Sequence, residues 1–132
     1  MKKAEATILI ADDDSSLRNS LKVALQDDYH VLTAADGKEA LAAIQKESID
    51  LIILDIRMPV IEGMEILKEA KNDDPSIEVI MLTGMDEVSQ AVEAMRLGAY
   101  DYITKPFDFD KLMGTIEKVV EHKMLRKEHA YL

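Results

Sequence analysis

The sequence predicts an α/β fold, a doubly wound parallel sheet of five strands with helices on both faces. Two observations carry this. Five short apolar runs recur along 132 residues, separated by amphipathic stretches with helical spacing. Three of the runs are almost wholly apolar, as strands buried on both faces of a parallel sheet must be.

The first run, residues 7–11, ends at Asp12-Asp13-Asp14. Leu17, Leu21, Ala24 and Leu25 then repeat at helical spacing. The second run, residues 30–34, is mixed in polarity, which places it toward a sheet edge. Asp36 with Glu39 resembles a capping box ahead of the shorter stripe Ala40, Leu41 and Ile44. The third run, residues 50–54, is followed by Asp55 and the loop Ile56-Arg57-Met58-Pro59, then by a stripe of Met64, Leu67 and Ala70. Asn72-Asp73-Asp74-Pro75 breaks the chain before the fourth run, residues 77–82. Asp86 stands at the N-cap position of the fourth helix, whose stripe Val88, Ala91, Val92 and Met95 is read as the face that covers the sheet. Gly98 ends that helix. The fifth run, residues 100–103, is again mixed. Asp108 caps a last helix that carries Leu112, Ile116, Val119 and Val120.

The order is (βα)5. Right-handed crossovers turn it into a flavodoxin-like sheet of strand order 2-1-3-4-5. One domain is expected over residues 1–121. Residues 122–132 are charged and free of Pro and Gly. They read as a helical extension, a frayed terminus or the start of a linker.

Composition narrows the function. Sixteen basic against 26 acidic residues leave a net charge of −10. Direct nucleic-acid binding by this domain is therefore not expected, because phosphate contacts need clustered Lys and Arg. A cationic partner or a bound cation fits better. The absence of cysteine excludes disulfides, thiolate zinc sites and a Cys nucleophile. The amino-terminal apolar stretch is too short for a signal peptide or a membrane span, so no membrane contact and a cytoplasmic location are expected.

Ligands of open α/β sheets bind at the carboxyl ends of the strands. There the sequence places Asp12, Asp13 and Asp14 after the first run and Asp55 after the third. Thr83 and Gly84 follow the fourth, and Thr104, Lys105 and Pro106 the fifth. Carboxylates about 4 Å apart at an effective dielectric near 20 repel by roughly 4 kcal/mol per pair. Either their pKa values rise or a cation sits among them. Oxygen ligands without His or Cys point to a hard divalent ion such as Mg2+. Lys105 and Thr83 would supply an ammonium and a hydroxyl to a phosphoryl group, and a carboxylate can itself be the nucleophile. Each residue also has a plainer reading: Asp12, Asp13 or Asp14 as a helix cap, Thr83 as a turn residue, Lys105 as a solvated lysine. Their joint placement favours a site.

These residues resemble the receiver domain of two-component response regulators, from about residue 7 to residue 121. The resemblance rests on Ile8-Leu9-Ile10-Ala11-Asp12-Asp13-Asp14, on Leu54-Asp55-Ile56-Arg57-Met58-Pro59 with Gly63, on Met81-Leu82-Thr83-Gly84, and on Ala99-Tyr100-Asp101-Tyr102-Ile103-Thr104-Lys105-Pro106-Phe107. The stretch from Glu93 to Asp108 is similar to receivers that precede ATPase-type transcription activators.

The resemblance implies a phosphorylation-activated switch rather than a turnover enzyme. Asp55 would be the phosphoacceptor. Asp12, Asp13, Asp55 and the backbone carbonyl of Arg57 would hold Mg2+. Thr83, Gly84 and Lys105 would contact the phosphoryl group, with Gly84 small enough to admit it. Thr83 and Tyr102 would form the switch pair, and the Lys105–Pro106 peptide would be cis. A sensor histidine kinase would supply the phosphoryl group. The fourth helix, fifth strand and fifth helix would pass the signal to an output domain or downstream protein, or to a second copy as a homodimer. Val60-Ile61-Glu62-Gly63 departs from the family's usual loop, and Arg57 and Met85 occupy positions that tune phosphate loss. The rival reading is a haloacid-dehalogenase-like phosphohydrolase with Asp12 as nucleophile and Asp14 as acid/base. It leaves Asp55 and the Met58-Pro59 loop unexplained. A flavodoxin-like binder of an anionic cofactor would need a Gly-rich phosphate loop and fewer carboxylates.

Overall fold

The computed structural model describes residues 6–130. Residues 1–5, where no signal peptide was expected, and residues 131–132 at the end of the tail lie outside the described residues. Five strands alternate with five helices: β1 Thr7–Ala11, α1 Ser15–Leu25, β2 His30–Ala34, α2 Gly37–Lys46, β3 Leu51–Asp55, α3 Gly63–Asp73, β4 Glu78–Thr83, α4 Val88–Arg96, β5 Asp101–Thr104 and α5 Phe109–Ala130. All strand pairs are parallel and the sheet order is β2-β1-β3-β4-β5. The two mixed runs are the two edges, as their polarity predicted.

β3, β4 and β5 each begin and end one residue later than the apolar runs suggest. Asp55, Thr83 and Thr104 keep their ladder pairing although their side chains are polar: Asp55 is in register with Leu82, and Thr83 with Thr104. The candidate site residues Asp55 and Thr83 thus sit on the last residues of β3 and β4, held by the sheet itself. Asp50, assigned to the third run, instead accepts the Thr7 N–H at 2.9 Å and ties β1 to the start of β3.

Alternation along the strands builds two core layers. Leu9, Ile52, Leu54, Val79 and Met81 pack toward α2, α3 and α4 with Ile44, Ile66 and Leu67. Ile8, Ile10, Leu51, Ile53, Ile80 and Leu82 pack toward α1 and α5 with Leu21, Leu25, Leu112, Ile116 and Val119. Each fully buried Leu or Ile contributes roughly 1.5–3 kcal/mol relative to exposure.

Three predicted caps form. Asp14 accepts from Ser16 and Leu17, Asp36 from Glu39, and Asp108 from Asp110 and Lys111. Glu39 reaches back one residue further than in a simple capping box, to the Ala35 N–H at 2.9 Å. Asp86 does not cap α4. It lies in a 3-10 turn over Met85–Glu87, Glu87 is the residue that precedes the helix, and the Asp86 carboxylate pairs outward with Arg57 Nη2 at 3.3 Å.

The predicted inner face of α4 also needs correction. Ala91 and Ala94 are the buried residues, whereas Val88, Val92 and Met95 are 47%, 50% and 40% exposed. Two neighbouring stripes on this helix both read as apolar. Periodicity alone cannot choose between them, and the alanine stripe lets the helix lie closer to the sheet.

α5 runs unbroken to Ala130, so the charged tail continues the helix through the described residues. The buried Lys123 donates to the carbonyls of Asp50 at 3.0 Å and Ser76 at 2.5 Å, and Arg126 reaches Glu78 at 3.1 Å. These contacts pin the helix to the amino-terminal end of the sheet. Among the described residues no helix is long and apolar enough to cross a membrane.

Candidate functional site

The carboxyl ends of β1, β3, β4 and β5 converge as expected. Asp55 closes the central strand β3 and is nearly buried, and Asp12, directly after β1, is fully buried. Asp13 beside it is exposed. One carboxylate oxygen from each of Asp12, Asp13 and Asp55 lies within 4.8 Å of the other two. Lys105 follows β5 and reaches across β4's end, with its ammonium 2.8 Å from Asp12 Oδ2 and 3.3 Å from Asp55 Oδ2. The Lys105–Pro106 peptide is cis.

The surrounding backbone holds this arrangement. Asp12 Oδ1 accepts the Asp14 N–H at 2.9 Å, and Arg18 Nη1 donates to the Asp12 carbonyl at 2.8 Å. Asp55 Oδ1 accepts the Arg57 N–H at 3.3 Å. Gly63 has to be glycine for α3 to start here: a Cβ would stand 2.2 Å from the Asp55 carbonyl oxygen. The preceding loop turns through Val60 at φ +73°, the left-handed region, in a valine that is 76% exposed.

The electrostatics follow from burial and crowding. Asp55 is pushed up from 3.8 to about 6, first by burial and then by the Asp12 charge, against the lowering pull of Lys105. Burial pulls Lys105 down, but its hydrogen bond to Asp12 and the charges of Asp55 and Asp12 outweigh this and hold it above the ordinary lysine value. One ammonium thus balances two carboxylates incompletely, and with Asp13 nearby the cluster retains net negative charge.

Two features fit ligands. Three carboxylates with oxygen-only chemistry suit a hard divalent cation such as Mg2+. The Thr83 hydroxyl, on the last residue of β4, is buried and has no hydrogen-bond partner. Such an orphan costs roughly 1–3 kcal/mol, and an incoming oxygen ligand would relieve it. Tyr102 is half-buried on β5, in register with Met81, and packs against the core layer that holds α4.

Sequence reasoning missed Glu87. The residue is only 4% exposed. Oε1 accepts the Gly84 N–H at 2.5 Å, and Oε2 accepts from Arg57 Nε. An acid three residues after Gly84 is the spacing of a reach-back cap, which was the one available signal. Asp14, by contrast, is committed to capping α1, so its carboxylate is not poised as the acid/base that the phosphohydrolase reading requires.

Residues 8–117 match the family model described as response regulator receiver domain. The chain is 39% identical over 123 residues to the transcriptional regulatory protein ZraR of Salmonella typhimurium, covering 92% of this chain and 28% of ZraR. It is 37% identical over 116 residues to the DNA-binding transcriptional regulator NtrC of the same organism, covering 87% of this chain and 25% of NtrC. This chain thus spans only about a quarter of these relatives. Among solved structures, NtrX from Brucella abortus in complex with ADP superposes with a TM-score of 0.86 at 36% identity, over 96% of this chain and 29% of that one. A response regulator receiver domain protein from Clostridium thermocellum gives 0.84 at 37% identity, over 91% and 98%. None of these supports a haloacid-dehalogenase-like function.

Proposed function

This chain belongs to the response regulator receiver domain family, whose members are phosphorylation-activated signalling switches and not turnover enzymes, and on that footing we propose that Asp55 is its phosphoacceptor. The observation that carries this is the pairing of Asp55 with Lys105 beside the unpartnered Thr83 hydroxyl. Receiver domains bind Mg2+ at an acidic pocket. Here Asp12, Asp13, Asp55 and the Arg57 backbone carbonyl would hold it, where it would neutralise the carboxylates and ligate phosphoryl oxygens.

An Asp55 oxygen attacks the phosphorus of a phosphohistidine on a sensor histidine kinase. The P–N bond breaks, the imidazole leaves with its electron pair, and an acyl phosphate forms. Lys105 already points at the reacting carboxylate and follows the transferred oxygens as a fixed point charge. Thr83 moves its hydroxyl onto the phosphoryl group, Gly84 leaves room and offers its N–H, and Tyr102 turns inward into the space that Thr83 vacates. The new charge favours one of two pre-existing states of the α4, β5 and α5 surface.

That surface carries the signal to an output domain or downstream protein, or into a homodimer. Residues 1–121 form the receiver unit, and α5 extends beyond it to Ala130. The acidity of the domain argues against direct contact with nucleic acid.

Intact mass spectrometry after incubation with acetyl phosphate tests this reading. One Mg2+-dependent, alkali-labile phosphoryl adduct is expected, absent from Asp55→Asn. If neither that adduct nor a beryllofluoride complex forms on the wild type, the phosphoacceptor reading is wrong.

A further inference from the structure

We infer that Glu87 is a positioning residue that sets how readily the site accepts a phosphoryl group, because it holds the Gly84 N–H that such a group would need. The inference rests on the phosphoacceptor reading of Asp55. The contacts run as one chain. The Arg57 main-chain N–H is on Asp55, the Arg57 side chain is on Glu87, and Glu87 is on Gly84. Gly84 is next to Thr83. Two donors therefore border Asp55 on the β4 side, and they are in different states. The Thr83 hydroxyl has no partner. The Gly84 N–H is already occupied by an internal anion.

A carboxylate bound at a backbone N–H stands in for a phosphoryl oxygen, since both are charged acceptors that prefer short bonds. Phosphorylation of Asp55 replaces a carboxylate by an acyl phosphate, which adds roughly one negative charge and three strong acceptor oxygens close to Glu87. It repels the Glu87 carboxylate, attracts Arg57 away from it and competes for the Gly84 N–H. All three effects act against the same two bonds. Glu87 also ends the 3-10 turn and immediately precedes α4. Its release therefore unfastens the first turn of α4 at the moment the phosphoryl group is bound. Asp86 and Glu87 crowd the same spot, each with a carboxylate oxygen 3.0 Å from where a Cβ on Gly84 would lie.

The test is a beryllofluoride titration in Mg2+ on wild type, Glu87→Gln and Glu87→Ala, followed by NMR of the Gly84 amide, with melting curves to confirm folding. Glu87→Gln keeps the shape and removes the charge, so it remains informative if the alanine variant folds poorly. Both variants should bind about tenfold more tightly, because the Gly84 N–H is then contested only by a weaker neutral acceptor or by none. The Gly84 amide of unliganded Glu87→Gln should move away from its wild-type position, having lost a charged acceptor, and beryllofluoride should bring it back, a response that a merely structural role would not produce. Unchanged or weaker binding by a folded Glu87→Gln would overturn the role of Glu87 alone. Failure of the wild type to bind would overturn the phosphoacceptor reading and this inference with it.

Discussion

The Lys105 ammonium lies 2.8 Å from the carboxylate of Asp12, a residue 93 positions earlier in the chain. Asp12 is fully buried, so its charge is sustained by this contact and by the Asp14 N–H. Removing one member of such a pair leaves a buried charge uncompensated. Lys105 also lowers the pKa of Asp55, which stands at about 6 with the lysine in place. Lys105→Met should therefore raise the Asp55 pKa above about 6, read from the carboxyl 13C shift during a metal-free pH titration. An unchanged Asp55 titration would refute this.

Asp55 binds its proton more tightly in the folded chain than in the unfolded chain, at about 6 against 3.8. Below both values the two states are equally protonated. Between them the native state keeps a proton that the unfolded state has lost, so stability falls as pH rises from about 4 to 6. Asp55→Asn should then be more stable than wild type in metal-free buffer at about pH 7.5, by about 1–2 kcal/mol after allowance for solvent screening. The difference should vanish near pH 3.5. Urea melts at the two pH values measure it.

Val60 adopts φ +73° while largely exposed. For a β-branched residue the left-handed region costs roughly 1–2 kcal/mol, and glycine returns about 0.5–1 kcal/mol of that through its freer unfolded chain. Val60→Gly should raise stability by about 0.5–1 kcal/mol in chemical denaturation. A loss would mean that Val60 makes contacts worth more than its strain.

The two faces of α4 should respond oppositely to substitution. Ala94 is fully buried, so Ala94→Leu overpacks the sheet and should cost about 1–3 kcal/mol. Val92→Ser, on the half-exposed face, should stay within about 0.5 kcal/mol of wild type. Thermal melts of the pair decide, and the reverse order would restore the face read from periodicity.

Lys123 sits almost wholly inside the protein with its ammonium on the Asp50 and Ser76 carbonyls. Lys123→Ala leaves both acceptors short of a donor and should cost about 2–4 kcal/mol. Equilibrium unfolding would show it, and a cost below about 0.5 kcal/mol would mean that water replaces the lysine fully.

The strands, their order and the acidic cluster were legible because each is written locally: an apolar run, a polar residue at its end, a capping aspartate. What was not legible depends on contacts across the fold. Glu87 looks like any acid in a turn until Arg57, thirty positions earlier, is seen to meet it. Lys123 looks like a solvated lysine in a charged tail until Asp50 and Ser76, just ahead of β3 and β4, present their carbonyls. The inner face of α4 turns on how closely the helix approaches the sheet, and hydrophobicity does not encode distance. Val60 carries no mark of its φ, because the loop is bent by what surrounds it.

α4 and α5 differ in how they are seated. α5 sets Leu112, Ile116, Val119 and Val120 into the sheet and is bolted at its far end by Lys123 and Arg126. α4 rests on Ala91 and Ala94, where each buried methyl contributes only roughly 0.8 kcal/mol. A methyl makes a shallow tooth. A helix seated on such teeth can roll or slip along the sheet without prying a large side chain from its socket or opening a void behind it. The domain therefore pairs a fixed shaft with a low-friction bearing, and the bearing carries the helix that follows Thr83, Gly84 and Glu87.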